Sequence, residues 1–220
     1  MIVAALSPRP MPAKPSPPGV KSSATVPLEP GVREDQLVGI ATELFASKGY
    51  DGTSLRDIAD AAGITKAALY YWFPEKEALF VRVVENRMGS LIRQVSLAIE
   101  QAADPIAKIR AFLHASAEQM DANRSAWVTS SINFWSNFDA AQREILLAQR
   151  DRFEQLLRQC VADAVAQGLL RPADPALVTR LLLSGLNQLP RWHKPGGRLS
   201  AAQVVEAYLD MLLTGLQPKT

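Results

Sequence analysis

Cysteine and histidine are almost missing from this chain: 220 residues carry one cysteine and two histidines. The lone Cys160 excludes an internal disulfide framework and fits a reducing compartment, so a cytoplasmic location is expected. His114 and His193 stand far apart in sequence, with no cysteine or carboxylate cluster at ligand spacing, and no metal site is expected. There is no nucleophile elbow, phosphate-cradling glycine loop or paired-carboxylate motif. Neither catalysis nor a bound cofactor is therefore expected. Although 48% of the residues are apolar, no uninterrupted run nears the roughly 18 needed to span a bilayer. The first ten residues lack a basic segment ahead of their short apolar run, which argues against a secretory signal. Strand-like alternation is missing as well. A net charge of +2 selects no partner by bulk electrostatics.

What is present is helix signal. Residues 1–32, rich in Pro, Ser, Ala and Lys, show no apolar periodicity and read as a disordered arm, either a solvated tail or a source of extra phosphate or minor-groove contacts. From residue 33 the pattern is helical throughout. A first helix over 33–48 buries Ile40, Ala41, Leu44 and Phe45 and stops at Gly49. A long helix opens near Pro74 and carries an apolar stripe from Leu79 to Ile99. Asp104-Pro105 and Asp174-Pro175 are caps with proline in the first turn, and Ser200 with Gln203 forms a capping box for the last helix, over 201–216. Helices over 125–137 and, capped by Asp139 and ended by Gly168, over 139–167 complete an all-α chain of nine.

Residues 53–76 (TSLRDIADAAGITKAALYYWFPEK) are the most informative stretch. Ser54 caps one short helix with Asp57 as the acidic half of the box, and Ile58, Ala59 and Ala62 form its apolar stripe. Gly63 fits the left-handed turn that ends it. Thr65 caps a second helix whose Leu69 and Phe73 face inward at i, i+4 spacing, leaving Lys66, Ala67, Ala68, Tyr70, Tyr71 and Trp72 outward. This is a helix-turn-helix, the geometry that lays a helix in the major groove of double-stranded DNA. Arg56 can reach a guanine edge or a phosphate. Lys66, opposite the inward pair, is the best base-contacting candidate. Ala67 and Ala68 keep the helix slim, and the Tyr70 and Tyr71 hydroxyls suit phosphate oxygens, as does Lys76. Trp72 and Tyr71 can equally be packing residues. Charge gives no help here: over 33–88 seven basic residues face nine acidic ones, a local balance of −2.

Residues 37–80, with 41–50 (ATELFASKGY), Ile58-Ala59, 62–64 (AGI), Leu69-Tyr70 and 73–80 (FPEKEALF), resemble the DNA-binding head of TetR-type transcriptional repressors. The nine-helix plan agrees. The resemblance implies a helix-turn-helix domain over 33–78 and a ligand-binding and dimerisation domain over 79–217. It implies homodimers paired through the eighth and ninth helices, no membrane association, and an effector pocket among helices four to seven. It carries over Ser54, Arg56, Thr65, Lys66, Ala68, Tyr70, Trp72 and Lys76 as DNA-touching positions. Residues 187–200 (NQLPRWHKPGGRLS) are similar to a segment of regulators of fatty-acid and steroid breakdown that respond to acyl-CoA thioesters.

The second half is rich in large aromatics: Phe112, Trp127, Phe134, Trp135, Phe138, Phe153 and Trp192, with Ser130, Ser131, Asn133 and Asn137 beside them. Such a set can be a plain helical core or the wall of a cavity for a hydrophobic effector. Phe112, Trp127, Ser131, Phe134, Trp135, Asn187, Arg191 and Trp192 are the candidate effector residues. Arg191 suits an acyl-CoA-like anion or, equally, the dimer seam. Cys160 falls on an apolar stripe with Phe153, Leu157 and Ala164 and reads as core. Two functions stay open: a ligand-responsive repressor, and a small-molecule binding protein whose helix-turn-helix no longer reads DNA.

Overall fold

The computed structural model describes residues 30–124, 127 and 138–216 of the chain. They form eight helices: α1 Pro30–Lys48, α2 Leu55–Ala61, α3 Lys66–Trp72, α4 Lys76–Glu100, α5 Pro105–Ala122, α6 Ala140–Ala166, α7 Pro175–Trp192 and α8 Ala201–Leu216. The architecture is the expected all-α one. The helix expected over 125–137 lies outside the described residues except at Trp127, and with it Ser131, Phe134 and Trp135. The eighth and ninth helices of the sequence reading are therefore α7 and α8. α1 begins at Pro30, three residues earlier than expected. Proline is tolerated there because the first turn has no partner for its missing N–H.

Two apolar cores divide the molecule. In the head, α1 to α3 and the first turns of α4 bury Leu37, Val38, Phe45, Ile58, Leu69 and Phe80 against one another. In the bundle, α4 to α8 bury Phe112, Leu113, Leu157, Leu186 and Leu209. Burial of each such side chain is worth roughly 1.5–3 kcal/mol relative to exposure. α4 belongs to both, and its Met88 packs against both cores. α7 and α8 approach closely. A Cβ at Gly185 would lie 3.0 Å from the Tyr208 ring, so glycine allows the contact. Phe138 departs from the sequence reading. Its place among the second-half aromatics suggests the bundle's core or a cavity wall there, yet it is buried in the head core beside Tyr50 and Phe80. The chain path brings the residues before α6 back onto the head, which helix periodicity cannot reveal.

Candidate nucleic-acid interface and effector cavity

The recognition element is assembled from local chemistry. Ser54 is extended ahead of α2, its Oγ accepts from the Asp57 N–H at 3.1 Å, and the Asp57 carboxylate accepts from the Ser54 N–H at 2.8 Å. The Ser54 hydroxyl bond, then its backbone bond, hold the Asp57 carboxyl below its usual range. α2 ends in a Schellman turn, with Ile64 N–H on the Ala59 carbonyl at 3.0 Å and Gly63 N–H on the Asp60 carbonyl at 3.2 Å. Gly63 has φ +65°, and a Cβ there would meet no other atom. Backbone conformation, rather than room, demands glycine. Thr65 then caps α3 by accepting from the Ala68 N–H at 3.2 Å.

α3 buries Leu69 and its C-capping Phe73 in the head core. Lys66, Ala67, Ala68, Tyr70 and Tyr71 are exposed, as are Ser54, Arg56 and Thr65 before and around them. Tyr71 is 84% exposed, so its ring does not pack into the core. Trp72 is half-buried against the head core and edge-on to Tyr71 at 5.7 Å, so its ring does pack. The Lys66 ammonium stands 5.3 Å from the Tyr70 ring centroid, within cation–π reach on the outward face. Arg56 has only a 3.8 Å surface pairing with Asp60, which restrains it little. Lys76 has an aromatic contact of its own. Its Nζ lies 3.9 Å over the Tyr50 ring, and burial lowers its pKa against the opposing charges of Asp51 and Glu77. The ammonium is held on the head's own aromatic ring.

Three of the candidate effector residues meet in the bundle. Phe112 is fully buried with its ring 4.8 Å from Phe153, which lies 6.5 Å from Trp127. Trp127 Nε1 donates to Asn187 Oδ1 at 3.1 Å. Arg191 and Trp192 are exposed at the end of α7 and do not join this group. A cavity of about 470 Å³ opens between α1, α4 and the end of α5, with Leu91 and Trp127 as apolar wall and Arg87, Gln119, Asn123 and Arg124 as polar wall. Its size is in the small-molecule range. Burial pushes the Arg87 guanidinium down to about 10.

One polar clamp went unforeseen. Arg124 donates to the His193 carbonyl at 2.6 Å, to His193 Nδ1 at 2.9 Å and to Asp121 Oδ1 at 2.6 Å. His193 Nε2 in turn donates to the Leu199 carbonyl at 2.8 Å. A guanidinium only donates and a carbonyl only accepts, so the ring's tautomer is set. The clamp ties the end of α5 to the turn between α7 and α8. Nothing in the spacing of residues 69 apart announces it.

A capped, seven-residue recognition helix presenting an outward lysine, on a head with its own core, backed by a larger helical bundle, defines a helix-turn-helix regulatory protein. Residues 38–83 match the tetR family of bacterial regulatory proteins, and residues 102–216 match the tetracyclin repressor-like C-terminal domain. The chain is 30% identical over 191 residues to the HTH-type transcriptional repressor KstR2 of Mycolicibacterium smegmatis, covering 86% of this chain and 93% of that protein. Among solved structures, the TetR family regulator PfmR from Thermus thermophilus superposes with TM-score 0.72 at 35% identity, over 84% of this chain and 100% of that one. AibR in complex with isovaleryl coenzyme A and operator DNA gives TM-score 0.72 at 27% identity, over 81% of this chain and 97% of that one. The chain belongs to the TetR family of transcriptional regulators, a family of DNA-binding proteins and not of enzymes.

Proposed function

We propose that the protein is a homodimeric, operator-specific repressor that releases DNA when a hydrophobic or acyl-CoA-type molecule binds its bundle. The observation that carries this reading is the outward face of α3. Lys66, Ala67, Ala68 and Tyr70 are exposed on a helix whose other face is anchored by the buried Leu69 and by Phe73 at its end. Lys66 meets base edges, Ala67 or Ala68 offers a methyl to thymine, and Arg56 and the tyrosine hydroxyls hold phosphates. Dimerisation through α7 and α8 sets two such helices one DNA turn apart, about 34–36 Å or a related spacing. Leu177, Leu181 and Met211, each more than 60% exposed on those two helices, supply the apolar seam. The solved complex of AibR with isovaleryl coenzyme A and operator DNA supports an acyl-CoA-type effector for a protein of this build.

An effector shifts the equilibrium only by its differential affinity for the two states, and operator must weaken effector binding by the same factor. Mobility shift on the DNA upstream of the protein's own gene tests the first half: sequence-specific retention that Lys66→Ala abolishes. Titrating isovaleryl coenzyme A with and without that DNA tests the second, and equal affinities would refute the switch. The rival reading is an effector-binding protein whose head does not read DNA. Its support is the acidic balance of the head and the seating of Lys76 on Tyr50. Absence of any specific retention would favour it.

A further inference from the structure

Two residues at and just before the start of α6 are buried in the core of the head. Phe138, 4% exposed, lies 5.6 Å from the Phe80 ring and 6.2 Å from that of Tyr50. Leu146, 1% exposed, joins the same core from the second turn of α6. On the surface beside them Gln142 Nε2 donates to Glu75 Oε1 at 2.7 Å, while Gln142 Oε1 accepts from the Asp139 N–H at 3.2 Å. Phe138 stands just before the Asp139 N-cap, while Gln142 and Leu146, four apart, share one face of α6. Glu75 lies just beyond Phe73, the C-cap of α3. Tyr50, the partner of Phe138, also donates to Glu77 at 2.7 Å and carries Lys76 over its ring. The start of α6 therefore grips the segment that directly follows the recognition helix.

A head attached through α4 alone has one line of contact, about which it can rock. A second attachment off that line removes the rotation. We propose that Phe138, Gln142 and Leu146 are positioning residues that set the orientation of α3 relative to the bundle. A displacement at the start of α6 then re-aims Lys66 without any bend in α4. The proposal rests on α3 being the DNA-contacting helix.

Gln142→Glu isolates the joint, because it keeps the acceptor for the Asp139 N–H and sets a carboxylate against Glu75. Combining it with Glu75→Gln restores a donor and an acceptor with their roles exchanged. In a Cys160→Ser background, spin labels at Asp60→Cys on α2 and Arg171→Cys beyond α6, diluted with unlabelled chain, report the head-to-bundle distance. The expected result for Gln142→Glu is a shifted or broadened distance distribution. Binding to the upstream DNA weakens about fivefold, the scale of one lost hydrogen bond, with helix content and thermal midpoint kept. The double variant returns both readouts to wild type. A wild-type distance distribution in Gln142→Glu, or a shift that the double variant fails to rescue, overturns the proposal. A rescued shift in a protein that retains no specific DNA supports the joint and refutes the operator reading.

Discussion

Lys66 and Lys76 show how position divides identical chemistry. Both carry an ammonium near a tyrosine ring, but Lys66 stacks on its own helix, on the outward face, whereas Lys76 is drawn 3.9 Å over Tyr50 and partly desolvated. Tyr50 is itself pushed up by burial and by its bond to Glu77. Cys160 makes the same point for reactivity. Burial raises its pKa, and its Sγ donates to the Leu156 carbonyl at 3.2 Å. A thiolate is the reactive species, so a disulfide reagent should leave the native thiol unmodified over minutes and titrate it at once in denaturant. Rapid labelling of the native protein would contradict this burial.

At the level of elements, the turn between α2 and α3 depends on one backbone conformation. Gly63→Ala forces a side chain into the left-handed region at φ +65° and should destabilise by about 1–2 kcal/mol. The measurement is the urea midpoint of the head, and an unchanged midpoint would show the turn relaxing freely. The α5–α8 seam depends instead on charge. Arg110 Nε donates to Glu206 Oε1 at 2.7 Å, and His114 Nε2 donates to Glu206 Oε2 at 2.6 Å. Burial alone would raise the Glu206 pKa, but the hydrogen bonds and charges of Arg110 and His114 outweigh it, and the net shift is downward. A carboxyl depressed in the folded state contributes stability above its ordinary range and loses it as pH falls through the folded value. Glu206→Gln should therefore be less stable than wild type at neutral pH, and the gap should close as pH falls through and below the ordinary carboxylate range. A gap independent of pH, followed by thermal melting, would assign the loss to packing.

For the whole molecule, the proposed dimer seam can be tested at the outward leucines of α7. Leu181 is 61% exposed in the protomer, so Leu181→Glu should leave the protomer folded while placing two desolvated charges in a paired seam. Light scattering should then report a monomer, with weakened retention of operator DNA. A persistent dimer would move the seam elsewhere.

Much of this protein was legible along the chain. The capping at Ser54, Thr65, Asp104, Asp139 and Asp174, the left-handed Gly63, and the inward Leu69 and Phe73 all follow from interactions within about five residues. Local hydrogen bonding and side-chain periodicity act at that range, so all-α character, the helix-turn-helix and the outward Lys66 were determined by sequence alone. Only the tertiary structure decided that Phe138 serves the head, that Arg124 clamps His193, and that Trp127 bonds Asn187. These partners lie 58 to 88 residues apart, taking Phe138 against Phe80 and Tyr50 as the two ends of the range. Their meeting depends on how whole helices pack, which minimises exposed apolar area over the entire molecule and leaves no periodic trace in any one segment.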